Sequence, residues 1–205
     1  VSYLYYPEVP NRIKVYNKDS KIIVMLRNPV DRAFSHYLMD YRLGLTSESF
    51  ETEFHKKKGL NFQQYFLLGN YFSQVKRYID VFGRENIHFI WYTDFKKDSE
   101  KQLNKVVDFI GLESDFRVDF DTIYNSFSMP KNNLIRMIYS VVWLRKLLTF
   151  LFPSSLVKSI KYLLFSKGNK PKLSDLTRGT VLEYYKSDIV KLEKLLSVNL
   201  SRWKK

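Results

Sequence analysis

The feature that most constrains the fold is a short apolar run that ends at an arginine and passes directly into a helix. Residues 21–26 read KIIVML, a length and composition typical of a buried parallel strand. Asn28 is suited to cap a helix, and Pro29 is suited to its first position. Apolar residues then recur at helical spacing as far as Gly44, where we expect the helix to end.

Strands and helices continue to alternate along the first half of the chain. The spacing of apolar residues predicts a short helix at 47–54, a helix over 62–82, a second buried strand over 86–92 and a helix over 97–110. This order predicts the α/β class, with a parallel sheet flanked by helices.

The character of the sequence changes after residue 121. Three further helices are predicted, over 132–152, 155–165 and 174–197. Pro153 separates the first two, and the third has a clean amphipathic stripe. We expect a single domain over 1–205, with an α/β part at 1–121 and a helical, basic part at 122–205.

The positive charge is concentrated in the last third. The net charge is +13, but residues 1–130 hold 18 Lys and Arg against 17 Asp and Glu, whereas residues 131–205 hold 16 against 4. Such an excess favours an anionic partner, either an acidic acceptor or an anionic membrane surface, unless it reflects compositional bias. Nucleic acid is not expected, because the aromatic residues fall on apolar stripes that predict core positions.

Several classes of site are excluded or disfavoured. Cysteine is absent and the three histidines lie far apart, so no metal site is expected.

No apolar stretch is long enough for a membrane-spanning helix, since the nearest, 138–152, contains Arg145 and Lys146. The apolar and basic stretch 134–172 suits either an interfacial helix pair or a cover for the sheet. We expect a cytoplasmic or membrane-associated protein.

Arg27 and Ser35 form the sharpest candidate site. Arg27 follows the first predicted strand, and ligands of α/β sheets bind at the carboxyl ends of strands. Ser35 lies about two turns into the helix that follows, whose first N–H groups are expected to face the same crevice. A guanidinium and a hydroxyl make a sensible phosphate clamp. The alternative is that Arg27 pairs with a carboxylate such as Asp31 and that Ser35 has no role.

The residues LRNPVDRAFSHY resemble the 3′-phosphate motif of sulfotransferases that use PAPS, 3′-phosphoadenosine 5′-phosphosulfate. The likeness covers most of the chain and is nearest to the bacterial and heparan-sulfate-type branch. It implies a P-loop-like fold and a cofactor-binding role for Arg27 and Ser35. It also implies PAPS as donor, the bisphosphate PAP as product, and a hydroxyl or amine acceptor, such as a glycan or a lipid-linked sugar.

The resemblance suggests further site residues. Tyr71 falls on the family's G-x-Y motif and is expected to border the acceptor or nucleotide cleft, unless it is a core tyrosine. Lys131 is the preferred basic residue near the nucleotide, with the SKG of residues 166–168 as the alternative. His36 and Glu48 are conceivable bases for the acceptor proton, but both are ordinary helix residues by their setting, and the catalytic base is left unassigned.

One departure from the family concerns its 5′-phosphosulfate loop. That loop is rich in Lys, Gly, Ser and Thr and precedes the Arg strand, whereas residues 1–26 contain no glycine. We therefore expect an N-terminally truncated chain that holds the 3′-phosphate half of the donor site and transfers no sulfate alone. The alternatives are a non-catalytic nucleotide- or polyanion-binding module, or a kinase relative, although no P-loop motif is present.

Overall fold

The computed structural model describes residues 2–113, 118–120, 127–166 and 170–204. Strands β1 (Ile22–Leu26) and β2 (Ile87–Trp91) pair in parallel, in a register that joins Ile22 to Ile87 and Leu26 to Trp91. Both predicted strands and the α/β class are therefore confirmed. The parallel pairing also brings the carboxyl ends of the two strands to the same edge of the sheet.

Helices precede, connect and follow the two strands of this sheet. In chain order they are α1 (Val9–Tyr16), α2 (Pro29–Leu43), α3 (Phe50–Lys56), α4 (Gly59–Tyr65), α5 (Tyr71–Phe82), α6 (Tyr92–Lys97), α7 (Ser99–Ile110), α8 (Asn133–Ser140), α9 (Val142–Leu151), α10 (Ser154–Leu164) and α11 (Asp175–Leu196). Short 3₁₀ turns lie at Leu67–Gly69 and Ser201–Trp203. The two-residue strands β3 (Met129–Pro130) and β4 (Phe165–Ser166) pair antiparallel at the base of α8–α10.

The core lies between the sheet, α2, α5 and α11. The apolar stripe of α11 is buried at Val181, Tyr185, Ile189, Leu192 and Leu196, whereas Leu176 in the first turn, also expected on the stripe, is 83% exposed. Trp203, which follows α11, is 2% exposed and packs against Tyr71 and Trp91. The prediction of an amphipathic helix over 174–197 is thus confirmed, and its partner surface is the α/β sheet.

The sequence predicts that strand β1 is buried on both faces, but only one of its faces is buried in the structure. Val24 and Leu26 are buried, whereas Ile23 and Met25 on the opposite face are each 45% exposed. This face borders a cavity of about 390 Å³ between β1, α5 and the first residues of the chain. Alternation is the ordinary pattern for a strand whose described cover lies on one face only.

The helix predicted over 62–82 is broken at residues 66–70. Gly69 passes the ring of Tyr185 so closely that a Cβ would lie 2.7 Å from the hydroxyl oxygen. The carboxylate of Asp188 then accepts hydrogen bonds from the backbone N–H groups of Tyr71, at 2.7 Å, and Phe72, at 3.2 Å, and so caps α5. The break is imposed by α11, more than 100 residues later in the chain.

Two other helices also differ from the predicted ranges. The helix predicted over 97–110 begins at Ser99, because the Asp98 side chain accepts from the N–H of Lys101 and caps α7. Helix α6 precedes it and was not predicted. The helix predicted over 132–152 is interrupted at Val141, whose backbone is extended. Pro153 separates α9 from α10, as expected.

Candidate functional site

Arg27 and Tyr92 lie side by side at the carboxyl edge of the sheet. Because Leu26 pairs with Trp91, the residues that directly follow the two strands become neighbours. The Arg27 guanidinium carbon lies 4.7 Å from the centre of the Tyr92 ring, a cation–π contact that orients the side chain. Within the described part of the chain, Arg27 makes no ion pair with a carboxylate, and its half-buried guanidinium is available to an anion.

Asp31, the expected alternative partner of Arg27, is engaged elsewhere. Its carboxylate pairs with Arg178 of α11, with 2.5 Å between Nη2 and Oδ1. The pair joins the first turn of α2 to α11, and both side chains are about one-third exposed. Arg178 therefore adds a second guanidinium to the neighbourhood of Arg27, and one carboxylate offsets only part of the positive charge.

Lys170 completes a group of positive charges around Arg27. Its half-buried side chain places Nζ 5.6 Å from the centre of the Phe34 ring on α2. Burial lowers the pKa of Lys170 from its ordinary value, and the charge of Arg27 lowers it further, as do Arg178 and Lys96, against the opposing effect of Asp31. Lys170 therefore lies close enough to interact electrostatically with these charges, and a bound anion would favour its protonated form.

The N-terminus of α2 is closed by its own cap. The Asn28 side chain accepts from the N–H groups of Val30, at 3.0 Å, and Asp31, at 3.4 Å, and the Arg32 N–H donates to the Asn28 carbonyl. The Asn28 amide in turn donates to the Trp203 carbonyl, at 3.2 Å. The expectation of free N–H groups at this helix end is therefore wrong, because Asn28 is held against the helix from the other side.

Ser35 and Tyr71 differ in burial and in their contacts. Ser35 is half-buried, one turn beyond Asp31 on α2, and its hydroxyl makes no hydrogen bond to another described residue. Tyr71 is 5% exposed, and burial raises its pKa to about 12 despite a hydrogen bond from the Arg27 backbone. Tyr71 also lines the 390 Å³ cavity, so it lies between that cavity and the strand end of Arg27.

The structure does not bring Lys131 into contact with this group. Lys131 is exposed, and its backbone N–H donates to the Leu164 carbonyl at 3.0 Å, which continues the β3–β4 pairing. No described contact joins its side chain to Arg27. Of the alternative at 166–168, Ser166 ends β4 and the other two residues lie outside the described residues. The role of Lys131 stays a prediction.

The two conceivable bases differ in their surroundings. His36 is half-buried on α2, with its Nε2 3.9 Å from the Asp40 carboxylate and its ring against Tyr65. Burial lowers the pKa of His36, an effect larger than that of Asp40, which raises it. Glu48 is exposed, and its carbonyl accepts from the Tyr37 hydroxyl. Both residues support the packing around α2.

The sequence reasoning missed three residues of the group, Tyr92, Lys170 and Arg178. Tyr92 could have been found, because it follows the second strand as Arg27 follows the first, and adjacent parallel strands align such positions. Lys170 and Arg178 carry no comparable local signal. They reach Arg27 because of where α11 and the segment before it pack, which periodicity alone does not determine.

The described residues contain no group of His, Asp and Glu side chains that could hold a metal ion. Among the described helices, none is long and apolar enough to cross a membrane. The candidate site is a group of arginine and lysine side chains at the carboxyl edge of the sheet, donors of the kind expected for a phosphate or sulfate oxyanion.

Comparison with known proteins points to one family. Residues 7–137, more than half of the chain, match the family model of the sulfotransferase domain. Sulfotransferase 2A6 of Mus musculus is 29% identical over 125 residues, which are 58% of this chain and 41% of that protein. Heparan sulfate glucosamine 3-O-sulfotransferase 3B1 of Homo sapiens is 29% identical over 116 residues, 55% of this chain and 30% of that protein.

The fold agrees with these matches. The crystal structure of a sulfotransferase from Alicyclobacillus acidocaldarius superposes with a TM-score of 0.70 and 26% identity, covering 100% of this chain and 66% of that one. The chain spans about two fifths of the length of the sulfotransferase 2A relatives that it matches.

Proposed function

Since the chain belongs to the sulfotransferase family, we propose that its Arg27 and Ser35 bind the 3′-phosphate of PAPS for sulfuryl transfer to a hydroxyl or amine acceptor. The observation that carries the proposal is the availability of Arg27 at the carboxyl end of β1. Asp31, the acid nearest to Arg27 in sequence, is paired with Arg178, and the Tyr92 ring supports the Arg27 guanidinium. A dianionic phosphate would provide the charge partner that Arg27 otherwise lacks.

Three other residues extend this donor site. Lys170 adds a cation on the side of α2, and Arg178 adds a guanidinium held by Asp31. The exposed face of Tyr92 offers a ring beside the phosphate position, suited to stacking on a planar base. Lys131 remains a further candidate contact to the nucleotide, and Tyr71 a candidate contact at the border of the acceptor or nucleotide cleft.

The reaction moves one SO₃ group. The acceptor oxygen or nitrogen forms a bond to sulfur while the bond from sulfur to the 5′-phosphate oxygen breaks, which leaves PAP, and the acceptor proton passes to a base. The residues of the Arg27 group act on the part of the donor that does not react. They fix its position, and binding energy gained there holds the sulfuryl group in line with the acceptor.

The acceptor is proposed as a glycan or a lipid-linked sugar. The likeness to a heparan sulfate glucosamine sulfotransferase supports a sugar acceptor, and the cationic C-terminal part would attract an acidic one. Both arguments concern the class of acceptor, and the donor site is tested separately.

The test measures nucleotide affinity by titration calorimetry, with PAP and with the 5′-monophosphate AMP, in the full-length protein. Arg27→Ala is expected to weaken PAP binding by about 30- to 150-fold, since a hydrogen-bonded charge contributes about 2–3 kcal/mol. Binding of AMP should change less than about threefold, because AMP lacks the 3′-phosphate that Arg27 contacts.

Arg12→Ala on α1 is the matched control, because Arg12 is exposed and has no described contact with the group around Arg27. It should leave the affinity for both nucleotides unchanged. Equal losses of PAP and AMP binding in Arg27→Ala would overturn the assignment to the 3′-phosphate. Binding of PAP without transfer from PAPS to any sugar acceptor would favour the non-catalytic alternative.

A further inference from the structure

Helices α8–α10 expose large apolar side chains at helical spacing. In α9, Trp143, Leu147 and Phe150 share a face and are 67%, 41% and 87% exposed. We call the exposed set on the three helices the α8–α10 apolar face, and it comprises Leu134, Met137, Trp143, Leu147, Phe150, Leu156 and Leu163. Large apolar side chains that share an exposed helix face, as on α9, are a mark of an interaction site.

The charge of the same segment has one sign only. Residues 131–166 contain six Lys and Arg and no Asp or Glu, and the nearest acids in sequence are Asp121 and Asp175. Most proteins mix both signs on an exposed helical surface. An apolar face on a segment with only positive charge is the combination found in helices that lie on anionic membranes.

We propose that α8–α10 dock the protein onto an anionic lipid surface, with the apolar face in the headgroup region and the net positive charge of the segment attracted to lipid phosphates. A dissolved polyanion would engage the lysines and arginines but would leave Trp143, Phe150 and Leu163 in water. A second copy of the chain would cover the apolar face but would bring together two segments of the same positive charge. A bilayer surface satisfies both features at once.

The lengths of the helices fit a position on the membrane. Helices α9 and α10 contain 10 and 11 residues, about half the number needed to span the hydrocarbon core. The segment begins and ends at the β3–β4 pair, where Lys131 N–H donates to the Leu164 carbonyl. A single short ribbon therefore presents all three helices together.

The test is co-sedimentation with vesicles of phosphatidylglycerol and phosphatidylcholine, with pure phosphatidylcholine vesicles as the comparison. Binding to the anionic vesicles is expected at about 0.05 M salt, with a large loss at about 0.5 M salt because exposed charges are then screened. Trp143 supplies a second readout, since its emission should shift to shorter wavelength on binding and be quenched by brominated lipid.

The double variant Trp143→Ser with Phe150→Ser should lower vesicle binding about tenfold or more, because it removes apolar area without changing the charge. The matched control is Val15→Ser with Tyr16→Ser on α1, two residues that are 88% and 93% exposed and lie outside the segment. It should change binding less than about twofold. Thermal unfolding by circular dichroism verifies that both variants fold.

Three outcomes would overturn the proposal. The first is no binding to anionic vesicles at low salt. The second is binding to a sulfated polysaccharide but not to vesicles, which would indicate a soluble polyanion. The third is self-association without lipid that the double variant abolishes, which would indicate a second copy of the chain. PAP affinity is measured in the same variants, so that failure of docking is distinguished from failure of the donor site.

Discussion

Helix α11 and helices α8–α10 are all amphipathic, yet they place their apolar stripes in opposite environments. The stripe of α11 is buried against the sheet and α5, with Tyr185 and Leu192 fully inaccessible. The stripe of α9 is open, with Phe150 at 87% exposure. Helical periodicity therefore predicts which residues share a face, but it does not predict whether the protein itself covers that face.

Polar contacts with the α/β part distinguish the buried helix α11 from the exposed helices α8–α10. Helix α11 is tied to the α/β part by a hydrogen bond from Thr177 to Glu51, by the Arg178–Asp31 pair and by Asp188 at the start of α5. In α8–α10 the described anchors lie at the beginning, where Arg136 stacks on Tyr41 at 4.2 Å and Ser140 closely approaches Gly44. The remaining turns of α9 expose apolar side chains that another surface can cover.

The largest expected effect separates two tryptophans. Trp203→Ala should lower the free energy of unfolding by about 3–5 kcal/mol, because it removes a fully buried indole between Tyr71 and Trp91. Trp143→Ala should change it by less than about 0.5 kcal/mol, since that indole is 67% exposed. Urea denaturation of both variants measures the contrast. A comparable loss in both would mean that α9 is covered in solution, and the two regions would no longer differ.

A smaller effect is expected at Asp188, an anchor of α11. Asp188→Ala removes the side-chain cap of α5 and should lower the free energy of unfolding by about 1–2 kcal/mol. Burial disfavours the charged form of Asp188 and raises its pKa, and this cost reduces the net stabilisation that the cap provides. Asp80→Ala, also an aspartate but exposed and paired with Lys76, should cost less than about 0.5 kcal/mol. Equal stabilities of the two variants would contradict the capping role of Asp188.

Local signals account for the parts of the fold that the sequence predicts. Some elements depend on residues that are close in sequence, and the spacing of apolar and capping residues therefore identifies them. They are strand β1, the Asn28 cap, the end of α2 at Gly44 and helix α11. The break before α5 depends on Asp188, and the burial of β1 on one face depends on what packs there. Such tertiary effects leave no trace in a short window of sequence.

The candidate site divides in the same way. Arg27 and Ser35 lie in one contiguous motif, so the order strand, turn, helix predicts that both lie near one strand end, whereas Tyr71 is placed by the resemblance to the family. The partner of Asp31 could not be predicted from the sequence, because Arg178 is 147 residues away and contacts α2 only through the packing of α11. That pairing decides whether Arg27 is available to an anion.

The smallest effect concerns pH, and it separates the two regions because residues 131–166 contain no histidine and no carboxylate. In the α/β part, burial lowers the pKa of His88 from 6.5, assisted by the charges of Lys105 and Arg84. The unfolded chain then binds this proton at higher pH than the folded protein does. Stability is therefore fully present above about pH 6.5 and is lost as the pH falls from there through the folded pKa.

His88→Gln should therefore flatten the dependence of the unfolding free energy on pH between about 7.5 and 5.5, measured by urea denaturation. His36, whose pKa burial also lowers, supplies part of the remaining slope. His55→Gln, at an exposed position on α3, is the matched control for the loss of a histidine side chain. Vesicle binding should stay constant over the same interval, since α8–α10 have no group that titrates there. A pH dependence of docking that follows the unfolding curve would show that membrane contact requires the α/β part, and the two regions would then act as one.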